Sequence, residues 1–284
     1  MTGGTPQVRF GTSAFTAAGW PGTFYPQGMK PADYLSFYAR HFDTVEVDST
    51  YYATPSVQTV QGWDAKTPPG FLFAAKVPQV ITHEKILAGC DDEFKEFVER
   101  MQMLGQKLGV LLLQLPYFNA ATFARGDDFL QRLEPFIKKL PEGVRFALEI
   151  RNKHWLTQRL FDLLRSRGVA LALIDHPWMP RPAELAARCD VVTADFCYVR
   201  FLGDRKAIEE RTKIWNQTIV DRRVELSEWA KVCYQVKSRG VTIFAYANNH
   251  YAGHGPATVR LFQELWNDQE KPGRDLSTGD PCSS

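Results

Sequence analysis

Eight short β-type segments recur along the chain, at residues 8–13, 44–49, 71–77, 110–115, 144–151, 169–175, 197–202 and 241–248. Their starts are about 33 residues apart, the length of one strand, one helix and two loops. Helical patterns fill the gaps. Residues 91–107 set Phe94, Phe97, Val98, Met101 and Leu104 at helical spacing behind an Asp cap. Leu156, Leu160, Leu163 and Leu164 repeat the pattern, as do Trp229, Val232, Cys233 and Val236. Pro256 suits the first turn of a last helix carrying Val259, Phe262 and Trp266. Five segments begin directly after a glycine (Gly70, Gly109, Gly143, Gly168, Gly240), each expected to end the preceding helix or turn in the left-handed conformation. Repeated units with short αβ connections demand parallel strands, and eight of these close on themselves. The expected fold is therefore α/β, a single-domain eight-stranded parallel (β/α)8 TIM barrel. Its rival, an open doubly wound sheet, lacks the usual mark, because no G-x-G-x-x-G follows the first segment.

The barrel is expected over residues 8–266, between a disordered stretch at 1–7 and a flexible tail at 267–284 rich in Asp, Ser, Gly and Pro. Composition narrows the partners. A net charge of +2, with no basic run of five residues, argues against nucleic acid and against a membrane surface. Five cysteines (Cys90, Cys189, Cys197, Cys233, Cys282), odd in number and without a C-x-x-C pair, argue against a disulfide framework or structural zinc. They fit a reducing, cytoplasmic setting. Residues 1–7 show no apolar signal-peptide core, and no apolar run reaches the ~18 residues of a membrane span. Oligomeric state is not legible.

Side chains alternate along a strand, so each segment divides into a helix-facing and a barrel-facing set. In the second segment Val45 and Val47 face out, Glu46 and Asp48 in. The third sends Lys76 in, between Phe73 and Val77 facing out. In the fifth, Phe146, Leu148 and Ile150 face the helices while Ala147, Glu149 and Arg151 point inward. The seventh turns Tyr198 and Arg200 inward. Ser13, Gln114 and Asn248 face the mouth by the same logic; Asp175 is ambiguous, because its segment is apolar on both sides. These polar positions fall at carboxyl ends of strands, where β/α barrels build their active sites. Five of six histidines (His83, His154, His176, His250, His254) also follow a strand, and Trp20, Tyr25, Tyr51, Tyr52, Trp155 and Trp178 lie in the same loops. A single inward charge is as well explained by a structural ion pair. Six of them (Glu46, Asp48, Lys76, Glu149, Arg151, Arg200) are expensive to bury for stability alone, which favours a functional mouth.

The same residues carry a family resemblance. Phe10-Gly-Thr-Ser, the run Tyr34-Leu-Ser-Phe-Tyr-Ala-Arg-His-Phe-Asp-Thr-Val-Glu-Val-Asp-Ser-Thr-Tyr-Tyr, and Thr67-Pro-Pro-Gly-Phe-Leu-Phe-Ala-Ala-Lys-Val-Pro resemble the YecE-like family, known as domain of unknown function 72. Phe146-Ala-Leu-Glu-Ile-Arg-Asn, Tyr198-Val-Arg and Ala247-Asn-Asn-His-Tyr-Ala-Gly-His resemble it too, so the likeness spans roughly residues 8 to 266. The resemblance implies a β/α barrel and no established activity. Two departures stand out. Asp48 occupies a position where the family often has Asn, and Leu202 stands where a histidine is common.

Three functions compete. The first is an enzyme for a small anionic, phosphorylated or sugar-like ligand. Lys76, Arg151 and Arg200 would bind the anion, Glu46 or Glu149 would act as general acid or base, and Ser13, Asp48, Tyr52, Gln114, Asn248, Asn249 and His254 would complete the contacts. Pairing of Glu46 with Lys76, and of Glu149 with an arginine, would leave one cation for the ligand. The second is a hydrolase or isomerase dependent on a divalent metal, with ligands from Glu46, Asp48, Glu149, Asp175, His176 and His254. Three inward cations weigh against it, and no cofactor is expected in the favoured reading. The third is a non-catalytic binding protein, or a nucleic-acid partner using Lys and Arg of residues 204–223, a segment equally well read as a solvated loop or lid.

Overall fold

The computed structural model describes residues 7–270. Eight parallel strands form one sheet: β1 (Val8–Thr12), β2 (Thr44–Val47), β3 (Leu72–Lys76), β4 (Leu108–Gln114), β5 (Arg145–Glu149), β6 (Ala170–Asp175), β7 (Phe196–Phe201) and β8 (Thr242–Ala247). The helices are α1 (Tyr34–Tyr38), α2 (Val57–Ala65), α3 (Asp91–Gln102), α4 (Gly126–Lys138), α5 (Gln158–Ser166), α6 (Pro182–Arg188), α7 (Arg205–Glu209), α8 (Arg223–Ser238), α9 (Asn249–Ala252) and α10 (Gly255–Glu270). Each strand hydrogen-bonds to its sequence neighbour from β2 through β8, and β8 returns to pair with β1. The barrel is thus nearly closed, with its seam between β1 and β2.

A side chain bridges that seam. The Tyr38 hydroxyl, at the end of α1, accepts from the Thr12 amide at 2.8 Å and donates to the Thr44 carbonyl at 3.1 Å. The strands approach so closely that a Cβ on Gly11 would lie 2.1 Å from the Thr44 carbonyl oxygen, so only glycine fits there.

The strand and helix faces follow the sequence periods. Val45, Val47, Phe73, Leu111, Leu113, Phe146, Leu148, Val199 and Phe201 face the helices. The barrel interior is filled unevenly: β7 and β8 supply Phe196, Tyr198, Phe244 and Tyr246, and Ala74, Ala147, Ala170 and Ala172 of β3, β5 and β6 make room for them. In α5 the Thr157 hydroxyl caps the Leu160 amide, and Leu160, Phe161 and Leu164 are buried. In α3 the cap position is Cys90 rather than an aspartate; Asp91, Asp92 and Glu93 occupy the first turn, where negative charge suits the helix dipole. Gly70, Gly143, Gly168 and Gly240 have the expected positive φ. Gly109 does not: it lies inside β4, where a Cβ would meet the Phe73 carbonyl at 3.0 Å.

The last helix continues to Glu270, beyond the expected domain boundary at 266. Of the terminal segments expected at 1–7 and 267–284, residues 1–6 and 271–284 lie outside the described residues. Cys90, Cys189, Cys197 and Cys233 are free thiols. Among the described residues, no helix is long and apolar enough to cross a membrane.

Candidate functional site

At the carboxyl ends of β2, β4, β5 and β7 a charged floor closes the barrel interior. Arg200 is 1% exposed and reaches two carboxylates that are 0% exposed. Its Nε donates to Glu46 Oε2 at 2.8 Å and its Nη2 to Glu46 Oε1 at 2.7 Å, a bidentate fork. Its Nη1 donates to Glu149 and, at 3.1 Å, to Gln114 Oε1. The Tyr198 hydroxyl, one inward step below Arg200, donates to Glu46 Oε2 at 2.7 Å. Burial and the adjoining Glu46 carboxylate both push the Tyr198 phenol well up, so it stays a donor. Burial works against the charged guanidinium of Arg200, but Glu149 and Glu46 outweigh it and keep the group protonated. Burial likewise opposes the ionised Glu149, yet Arg200 and Arg151 hold its carboxyl down to about 2. Such a carboxylate is a weak base.

One inward step further out the environment changes. Arg151 follows Glu149 on the same face; its Nε donates to Glu149 Oε1 at 2.9 Å, while its side chain is 26% exposed. Among the described residues its two terminal nitrogens have no protein partner. Asp48 and Lys76 each follow the last residues paired between β2 and β3, Val47 and Ala75, and their charges act on each other. Directly after Asp48 the chain turns into a short 3-10 helix, Ser49–Tyr51. From it Thr50 donates to the Val47 and Lys76 carbonyls at 3.0 and 2.8 Å, pinning both strand ends. Burial lowers the Lys76 ammonium pKa and Arg200 adds repulsion, against attraction from Glu46, Asp48 and Glu149. Burial raises the Asp48 carboxyl against the opposing pull of Lys76. His83 and His176 are both lowered by burial and then by Arg151, so both are neutral at neutral pH.

Two clefts open outward from here and share Arg151 and Trp178. One, about 740 Å3, is lined by Arg151, His176, Trp178, Asp204, Lys206 and Lys213. The other, about 710 Å3, is lined by Tyr117, Phe123, Arg151, His154, Trp155 and Trp178. Trp178 and Tyr117 are 62% and 59% exposed, with ring centroids 6.4 Å apart.

The structure brings together Glu46, Asp48, Lys76, Gln114, Glu149, Arg151 and Arg200 of the sequence-derived set. The remaining residues sit elsewhere. Tyr52 is exposed. The Asn248 side-chain Oδ1 accepts from the His250 amide and caps α9, and Asn249 Oδ1 accepts from Trp20 Nε1 and the Gly255 amide, so both brace loops. His254 packs edge-on to Trp20, and its Nε2 is buried without a partner among the described residues. Ser13 Oγ is buried without one too. Asp175 faces the helices, accepting from Trp229 and Tyr251. The pairing differs from expectation: Arg200, not Lys76, holds Glu46, and Lys76 makes no side-chain ion pair or hydrogen bond among the described residues. Among those residues no three His, Cys, Asp or Glu are grouped to hold a metal. Arg200 fills the space between Glu46 and Glu149.

Of the aromatics in the mouth loops, Trp20 and Tyr25 are buried core. Tyr117 was missed; it lies in a loop with no periodic signal. Tyr198 was read as inward but not as part of the site, although it lies one inward step below Arg200. The segment at 204–223 is docked rather than free: Trp215 donates its amide to Ala18, and the Ile219 and Val220 amides donate to Ala252.

A family model described as "Protein of unknown function DUF72" matches residues 9–280. The UPF0759 protein YecE of Escherichia coli is 32% identical over 257 residues, covering 84% of this chain and 86% of YecE. The UPF0759 protein YunF of Bacillus subtilis is 24% identical over 263 residues, covering 86% and 90%. Among solved structures, a DUF72 family protein from Thermotoga maritima superposes with a TM-score of 0.73 at 26% identity, covering 92% of this chain and 99% of that one.

Proposed function

We propose that this chain, which belongs to the DUF72 family of proteins of unknown function, binds a small anionic ligand at the barrel mouth and acts on it by acid/base chemistry. One observation carries the reading: Arg151 is fixed by Glu149 through Nε alone and presents its terminal nitrogens where the two clefts meet. A guanidinium held in this way is oriented before the ligand arrives, which suits bidentate recognition of phosphate or carboxylate. The exposed rings of Trp178 and Tyr117 flank the same point and fit a ring or sugar attached to the anion.

In this reading Arg200 does not touch the ligand, because Glu46, Glu149 and Gln114 occupy its donors. Glu46 and Glu149 act as positioning residues, and proton transfer falls to groups at the rim. Calorimetric titration with inorganic phosphate and with sugar phosphates tests the site. Loss of one charge-assisted hydrogen bond is worth ~1.5–3 kcal/mol, so Arg151→Ala should weaken binding by about tenfold or more. Equal affinities in the two proteins would end the assignment.

A further inference from the structure

We propose that Lys76 is a nucleophilic amine that condenses with the carbonyl carbon of a small aldehyde or ketone bearing an anionic group, the class of open-chain sugar phosphates. The proposal rests on the anion site at Arg151 to orient that substrate, and goes beyond it by naming the reacting group.

The placement of Lys76 is the main support. It ends β3 with its side chain turned into the mouth, in line with the inward Ala74. Thr50 holds its carbonyl and so fixes the strand end from which the side chain projects. Both inward arginines of the mouth have a carboxylate in contact: Arg200 has Glu46 and Glu149, and Arg151 has Glu149. Lys76 has none among the described residues, although Glu46, Asp48 and Glu149 all act on it at longer range. Glu46 and Glu149 are already taken by arginines, and Asp48 makes no contact ion pair with it among the described residues. A partly buried amine beside a fixed guanidinium favours its neutral, nucleophilic form, the usual way such a lysine is activated. Asp48 is the nearby acid: burial favours its protonated form, and it and Lys76 directly follow the last residues paired between β2 and β3, Val47 and Ala75.

The chemistry balances without an added oxidant or reductant. The Nζ lone pair attacks the carbonyl carbon, and the C=O π pair moves to oxygen, which takes the Asp48 proton. The resulting carbinolamine passes its extra Nζ proton to the Asp48 carboxylate. The nitrogen lone pair then forms C=N as the hydroxyl leaves, taking the proton back from Asp48 and departing as water. The protonated imine draws electrons from a neighbouring C–H or C–C bond, with the Asp48 carboxylate, deprotonated in the preceding step, to balance its positive charge.

The test treats the full chain with dihydroxyacetone phosphate or dihydroxyacetone in the presence of cyanoborohydride, followed by peptide mass mapping. Lys95, which is 74% exposed, serves as the internal reference. Lys76 should be modified at least about tenfold faster than Lys95, and Asp48→Asn should slow Lys76 without slowing Lys95. Modification of Lys76 no faster than Lys95 with either compound overturns the proposal. Arg151→Ala separates it from the anion site. A slower reaction with the phosphorylated compound alone supports both. An unchanged rate with both compounds leaves the amine assignment standing and removes the anion. Phosphate binding that depends on Arg151, without preferential Lys76 modification, removes the amine assignment alone.

Discussion

In the floor of the mouth, Glu46, Glu149 and Arg200 are at most 1% exposed, and each charge meets an opposite one at hydrogen-bond distance. Two residues further along the same strands, Asp48 and Arg151 at the rim are partly exposed and only partly satisfied, as is Lys76. One inward step, about 6–7 Å along a strand, separates a closed network from an open one. The comparison teaches that inward charge in a barrel has two uses. At the depth where water is excluded, charges must satisfy one another, because an unpaired ion costs several kcal/mol. Where water still reaches, a donor can be left for a ligand at small cost.

The largest effect is expected in the floor. Arg200→Ala strands two buried carboxylates and should cost ~3–5 kcal/mol of stability, read by urea unfolding. Arg200→Lys should recover little of it, since an ammonium cannot fork onto Glu46 while also reaching Glu149. A loss below about 1 kcal/mol would show that the floor is not a closed network.

Glu149→Gln keeps the shape and removes the charge, so it should cost somewhat less, ~2–3 kcal/mol at neutral pH. It also sharpens the comparison through pH. The folded pKa of Glu149 is depressed, so its stabilisation is complete above its ordinary value of 4.5 and is lost as pH falls from there through about 2. Acid unfolding of Glu149→Gln should therefore be flatter than that of the parent over that window. An identical acid limb in the two proteins would show that Glu149 is not held ionised by the arginines.

Tyr198→Phe removes a single buried donor to Glu46 and should lower stability by ~1.5–3 kcal/mol. Unfolding at the parent's denaturant midpoint would mean that Arg200 alone satisfies Glu46. The smallest stability change belongs to the rim: Arg151→Ala should cost less than about 1 kcal/mol, since its pair with Glu149 is partly solvent-screened. A loss as large as that of Arg200→Ala would merge the two regions and remove the reason to assign Arg151 to a ligand.

Much of this arrangement is legible from strand alternation. Phe146, Leu148 and Ile150 mark one face of β5, so Glu149 and Arg151 must occupy the other, and the same reasoning places Glu46, Lys76 and Arg200. The method fails where periodicity stops. In β6 both faces are apolar, and Asp175 turned out to point toward the helices, where Trp229 and Tyr251 donate to it. Loop aromatics carry no facing signal either: Trp20 and Tyr25 became core, while Tyr117 and Trp178 stayed exposed.

The sequence by itself determined the parallel barrel, its eight strands and the inward identity of its charged residues, because these depend on local periods of two and 3.6 residues. Only the tertiary structure decided which charges pair. Glu46 and Lys76 lie on neighbouring strands, yet Glu46 is claimed from across the barrel by Arg200, 154 residues away in sequence. The reason is geometric. A guanidinium projecting into the narrow interior reaches carboxylates on two other strands at once, and that convergence, set by closure of the barrel, leaves the outer edge of Arg151 facing the clefts and Lys76 without a contact ion pair among the described residues.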